Sequence, residues 1–173
     1  MSQTYDRVSQ IFHWLLAALI LFLIFYHPST EDGHDAPTKL QVLIHVTIGF
    51  SVFFLAFGRL FWKIFFSVHP KSEKQTKLQS KAKKVVHFLF YVFMWLAPIF
   101  GLVLAFSSEL EISLFGYLEL PKLAFLSEYH DLIRSFHGAS ADVLLYLAII
   151  HVGAVLYHQL WLKDNLLNRM IKS

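Results

Sequence analysis

At 173 residues the chain has the length of one domain, yet its 56% hydrophobic content and mean hydropathy of +0.53 exceed what a soluble core of that size requires. The absence of cysteine excludes disulfides, thiolate-held iron–sulfur clusters and covalent attachment of a c-type haem. A net charge of +3, with no basic groove interleaved with aromatics, gives no footing for nucleic-acid binding.

A spanning helix needs about 20 mostly apolar residues, and four stretches qualify: 8–27, 40–66, 85–107 and 136–162. The first follows Arg7 as a secretory signal would, but its far end, Phe25-Tyr26-His27-Pro28, lacks a small-residue cleavage motif, so the segment is expected to be retained. The second carries His45, Gly49 and Arg59, and the third carries His87 and Gly101. Between the third and fourth lies a long connection, 107–135, in which Leu123, Leu126, Tyr129, His130 and Ile133 recur at helical spacing and predict a short amphipathic surface helix. The fourth segment carries His137, His151 and His158. The expected fold is an all-α transmembrane four-helix bundle, one integral membrane domain over 1–173, with that short helix on its outer surface.

Lysine placement orients the bundle. Lys71, Lys74, Lys77, Lys81, Lys83 and Lys84 stand against Glu73 alone between the second and third segments, which marks that side, and with it both termini, as cytoplasmic. On the other side Glu31, Asp32, Asp35, Glu109, Glu111, Glu119, Glu128 and Asp131 outnumber Lys39, Lys122 and Arg134. A lipid-anchoring loop explains the lysine run without a specific ligand. Trp14, Trp62 and Trp161, near the cytoplasmic ends of their segments, fit an interfacial aromatic belt.

Six histidines fall within the apolar segments: His13, His45, His87, His137, His151 and His158. A polar side chain in lipid needs a partner, and for any one of them an interhelical hydrogen bond suffices. Their depths say more. His137 and His151 are 14 residues apart, so one helix face returns about 21 Å further along. His45 shares the outer level with His137, and His13 shares the cytoplasmic half with His151. Facing imidazoles at two levels are what two stacked bis-histidine haems require, and without cysteine these would be b-type. The inner pair is offset by about 9 Å at helical rise if the fourth segment ends at 162, which leaves His158 and His87 as alternatives there. Gly49 and Gly101 offer smooth backbone to a porphyrin or simply allow close helix contact. Arg59, 14 residues beyond His45, is placed either to meet a haem propionate or to snorkel to the inner headgroups.

Phe12-His13-Trp14, Leu43-Ile44-His45-Val46, Phe136-His137, Ile150-His151, Tyr157-His158 and Trp161-Leu162-Lys163-Asp164-Asn165 together resemble the prokaryotic cytochrome b561 family over nearly the whole chain. The length and the 161–170 tail look most like the family's superoxide oxidases, di-haem cytochromes that pass electrons from superoxide to ubiquinone. The resemblance implies a bacterial inner-membrane location and haem iron ligation by His13, His45, His137 and His151. It also implies a cytoplasmic quinone site, where Lys74 and His158 match family positions and His87 lies at comparable depth.

On this reading superoxide is oxidised outside and a quinone, ubiquinone in the family, is reduced inside, with no obligatory protein partner. Because the outer loops are net acidic, Lys39, Lys122 and Arg134 are the cations available to steer an anionic substrate. The alternative is a haem-bearing anchor that takes electrons from a soluble dehydrogenase or hydrogenase. A haem-free transporter is a third reading.

Overall fold

The computed structural model describes residues 4–28, 38–67 and 76–171. Four long helices, α1 (Arg7–Phe25), α2 (Lys39–Phe65), α3 (Lys77–Ser107) and α4 (His130–Tyr157), run alternately up and down. Their starts are written locally. Asp6 caps α1 by accepting from the Ser9 N–H at 2.9 Å. Thr38-Lys39-Leu40-Gln41 and Thr76-Lys77-Leu78-Gln79 each close a reciprocal capping box at the head of α2 and α3.

Leu16, Val52, Ala56, Met94, Ala97 and Leu144 fill the centre of the bundle. At Gly58 an added Cβ would lie 3.3 Å from the Phe12 ring, so this glycine lets α1 and α2 approach closely. Apolar side chains cover the outside as well: Phe25, Phe54, Phe88, Ile149 and Leu160 are all exposed. A protein apolar on both its inner and outer surfaces is solvated by lipid, and four helical stretches are long and apolar enough to cross a bilayer. The expected four-helix transmembrane bundle is therefore the observed one.

Three boundaries differ from the hydropathy reading. The third helix starts at Lys77 rather than 85, so Lys77, Lys81, Lys83 and Lys84 ride on its first turns instead of in a loop. The fourth starts at His130 rather than 136, continuing from a six-residue 3₁₀ helix, Ala124–Tyr129, which is the form the short surface helix takes. Regular α4 stops at Tyr157, where a π-helical turn, His158–Leu162, leads into Lys163 and Asn165, both left-handed with φ of 51° and 55°.

One end of the bundle carries a hairpin, β1 (Ser113–Leu114) and β2 (Leu118–Glu119). Its turn uses positive φ at Phe115 and Gly116, 55° and 80°, as a tight hairpin turn demands. The Phe115 N–H donates to the Thr47 hydroxyl of α2 at 3.1 Å, and Leu114 is buried beneath. At the other end, the terminus end, the Trp62 indole donates to Asp6 at 2.9 Å. A last short helix, α5 (Asn168–Ile171), folds back there, with Tyr5 N–H on the Arg169 carbonyl at 3.0 Å and Trp14 Nε1 on the Met170 carbonyl at 2.9 Å. Two of the three belt tryptophans thus tie helix ends together.

Candidate functional site

His45 stands six residues into α2 and His137 seven into α4, so both imidazoles lie at one level near the hairpin end. Their ring centroids are 6.0 Å apart at 82°. His13 stands six residues into α1 and His151 six before the end of α4, with centroids 6.2 Å apart at 70°. The 9 Å offset inferred from sequence disappears because regular α4 ends at Tyr157, not 162. The structure thus brings together both pairs named from the sequence.

The spacing of each pair has a chemical meaning. Two metal–nitrogen bonds of about 2 Å, plus roughly 1.1 Å from each ring nitrogen to its centroid, put opposed imidazoles about 6 Å apart across one metal. Among the described residues no three His, Asp or Glu side chains converge to hold a bare ion. An iron already carried by four porphyrin nitrogens needs only the two axial imidazoles, so the residues fit a bis-histidine haem at each level. A Cβ at Gly49, one turn beyond His45, would meet no protein atom within 4 Å, so a flat macrocycle can lie against that backbone.

Backbone carbonyls orient the hairpin-end pair. His45 Nδ1 lies 3.3 Å from the carbonyl of Tyr26, the residue that ends α1, and His137 Nδ1 lies 2.9 Å from the Ala97 carbonyl of α3. A carbonyl only accepts, so Nδ1 carries the proton in both rings and Nε2 presents its lone pair. Gly101 faces His137 directly: an added Cβ would sit 3.0 Å from the ring Cε1. The missing side chain leaves room for the His137 ring.

At the terminus end His87 also packs against His151, with centroids 5.7 Å apart, and donates Nδ1–H to the Lys83 carbonyl at 2.7 Å. His151 thus has two neighbouring imidazoles, His13 at 6.2 Å and His87 at 5.7 Å. Arg59 interacts with the Tyr91 and Tyr5 side chains and lies within electrostatic reach of both His13 and His151. Lys63 caps the Tyr91 ring at 4.7 Å. Burial pushes the Tyr5 phenol above its ordinary value against the opposing pull of Arg169 and Arg59, so it remains a neutral donor. The cluster suits an anionic group beside the His13–His151 level.

His158 does not reach either pair; its Nδ1 meets Asp164 Oδ2 at 2.6 Å, both side chains largely buried. Lys74, the other quinone candidate, lies outside the described residues. At the hairpin end Lys39 and Lys122 line a cavity of about 440 Å³ together with Glu111, Ser113 and Glu119. Arg134 turns instead to His130, donating to Nε2 at 3.1 Å, while His130 Nδ1 meets the Ser107 hydroxyl at 2.8 Å. Sequence reasoning places His130 on the short amphipathic helix and Asp164 only within the Trp161-Leu162-Lys163-Asp164-Asn165 run, and it does not reach Tyr5, Tyr91 or the carbonyls of Tyr26 and Ala97.

A lipid-solvated four-helix bundle with facing imidazoles at two levels has the architecture of a b-type membrane cytochrome. Sequence comparison agrees, since the profile described as prokaryotic cytochrome b561 matches residues 4–173. The chain belongs to the prokaryotic cytochrome b561 family, and with it come membrane electron transfer and b-type haem. It is similar to cytochrome b561 homolog 1 of Escherichia coli strain K12, 31% identical over 171 residues and 96% of each chain. It is also similar to cytochrome b562 of Cereibacter sphaeroides, 26% identical over 97% of this chain and 95% of that one. A probable superoxide oxidase, CybB, of Yersinia pestis is 24% identical over 99% of this chain and 97% of that protein.

Proposed function

We propose that the chain is a di-haem superoxide:quinone oxidoreductase of the bacterial inner membrane, with both termini and the lysine-rich side in the cytoplasm. The observation that carries this reading is the pair of opposed imidazoles at each of two levels, His45 with His137 and His13 with His151, 6.0 and 6.2 Å between centroids. Haems held there would supply one-electron redox chemistry at both membrane surfaces. The likeness to a probable superoxide oxidase supports the substrate.

The balance is two superoxide anions, one quinone and two protons giving two dioxygen molecules and one quinol. Lys39 and Lys122, on one cavity beneath the hairpin, attract the anion at the outer face. Arg59, which interacts with Tyr91 and Tyr5, would hold a propionate at the inner level. Lys74 supplies a cation for the reduced quinone oxygens, His87 lines the approach, and His158 donates a proton from Nε2 while Asp164 fixes its Nδ1–H.

Purified protein tests the whole reading at once. Two b haems per chain, reduced by a superoxide source and reoxidised by added quinone, are expected. Colourless protein, or haem that superoxide does not reduce, would overturn it. A tightly co-purifying soluble dehydrogenase or hydrogenase, with no superoxide-driven turnover by the isolated chain, would instead favour the anchor-subunit alternative.

A further inference from the structure

The two histidine levels differ in what lies behind the ligating rings. At the hairpin end both imidazoles are backed by carbonyls: His45 Nδ1–H by Tyr26 at 3.3 Å and His137 Nδ1–H by Ala97 at 2.9 Å. Among the described residues, neither His13 nor His151 makes a hydrogen bond, and the charged group beside them is the Arg59 guanidinium. One level therefore has electron-rich imidazoles and the other has a nearby cation.

Both differences act in the same direction on a bound haem. An Nδ1–H···O=C bond gives the imidazole partial imidazolate character, makes Nε2 a stronger donor and favours the oxidised metal. A positive charge in a low-dielectric setting favours whichever state holds one more electron, and it offsets the opposite pull of a propionate. From this asymmetry we infer that the chain builds a potential step: the haem held by His45 and His137 has the lower reduction potential, and the haem held by His13 and His151 the higher. With haems bound, a single electron arriving at the hairpin end would pass downhill to the terminus end, one centre oxidised as the other is reduced, with no bond broken and no proton moved. The inference rests on the haem assignment proposed above and adds the order of the two potentials.

Two single substitutions in the full chain assign the step. Gly101→Ala brings a Cβ to 3.2 Å from His137 Nδ1, so the ring must shift away from the Ala97 carbonyl by a few tenths of an ångström. Arg59→Gln removes the cation from the His13–His151 level. Haem content is measured first, then potentiometric titration is followed optically. Wild type is expected to give two waves at least about 59 mV apart, a tenfold equilibrium preference for one electron. Gly101→Ala raises the lower wave and Arg59→Gln lowers the upper one, so each variant narrows the gap from its own side. If Arg59→Gln fails to accumulate, Arg59→Lys, which keeps the charge, leaves the upper wave in place. Two haems titrating as one wave, or Gly101→Ala moving the upper wave, would overturn the inference. Fewer than two haems in the wild-type protein would instead overturn the haem assignment itself, a distinguishable failure.

Discussion

Gly101 of α3 is the seat of His137 of α4: a Cβ on this glycine would approach the imidazole to 3.0 Å at Cε1 and 3.2 Å at Nδ1. A side chain larger than methyl cannot share that space with the ring. On the proposed haem assignment, Gly101→Val is therefore expected to expel the haem held by His45 and His137 and to halve the haem content. The helix itself should not suffer, because glycine in a helix interior is less favourable than other non-proline residues, by up to about 1 kcal/mol against alanine. Pyridine haemochrome analysis together with helical circular dichroism separates the two effects.

Ligand deletion should be selective by level. His45→Ala is expected to lose one haem and keep the one between His13 and His151, and His151→Ala the reverse, because the pairs share no residue. Haem stoichiometry and optical spectra of the two variants check this. Loss of both haems from either single variant would mean that the levels are not independent.

Asp6 has two tasks, capping α1 through Ser9 and accepting from the Trp62 indole at 2.9 Å. Asp6→Ala is expected to lower stability by about 1–2 kcal/mol, a lost cap plus a lost charge-assisted bond. Trp62→Phe should cost the smaller part alone. Thermal unfolding in detergent, followed by circular dichroism, gives the order of the two.

How much of this was legible in the sequence follows from the kind of signal each feature leaves. The four spans are written in apolar length and the two levels of imidazoles in 14-residue spacing, so both were visible. Hydropathy starts the third span at 85 because four lysines dilute its first turns, while the Thr76-Lys77-Leu78-Gln79 capping pattern marks the start the structure takes. The depth of His151 was misjudged because nothing in the apolar run announces that the regular helix yields at His158 to a π turn and a left-handed Lys163. The carbonyls of Tyr26 and Ala97 are invisible to any reading of side chains, since every residue has a carbonyl and only the fold selects these two.

The His158–Asp164 contact at 2.6 Å predicts a kinetic signature. Asp164→Asn is expected to slow quinone reduction on the order of tenfold to a hundredfold, the range set by weakening one proton donor. Reduction of the haems by superoxide in the absence of quinone should be unchanged. Stopped-flow measurement with and without quinone separates the two half-reactions, and Asp164→Glu should recover part of the loss.

Charge at the hairpin cavity predicts salt dependence. Lys39→Gln with Lys122→Gln is expected to lower the bimolecular rate with superoxide and to flatten its dependence on ionic strength, because steering by exposed cations is screened within about 10 Å at 0.1 M salt. Arg134→Gln should change the rate less, since Arg134 does not line that cavity. An unaltered rate in the double variant would remove the steering role.

The hairpin is fastened to α2 at Thr47, two positions past His45, through the Phe115 amide. Hairpin and His45 consequently ride on a single rod. When a thicker or thinner bilayer tilts that rod, as length mismatch does, the hairpin and the imidazole tilt together, because one helix carries both.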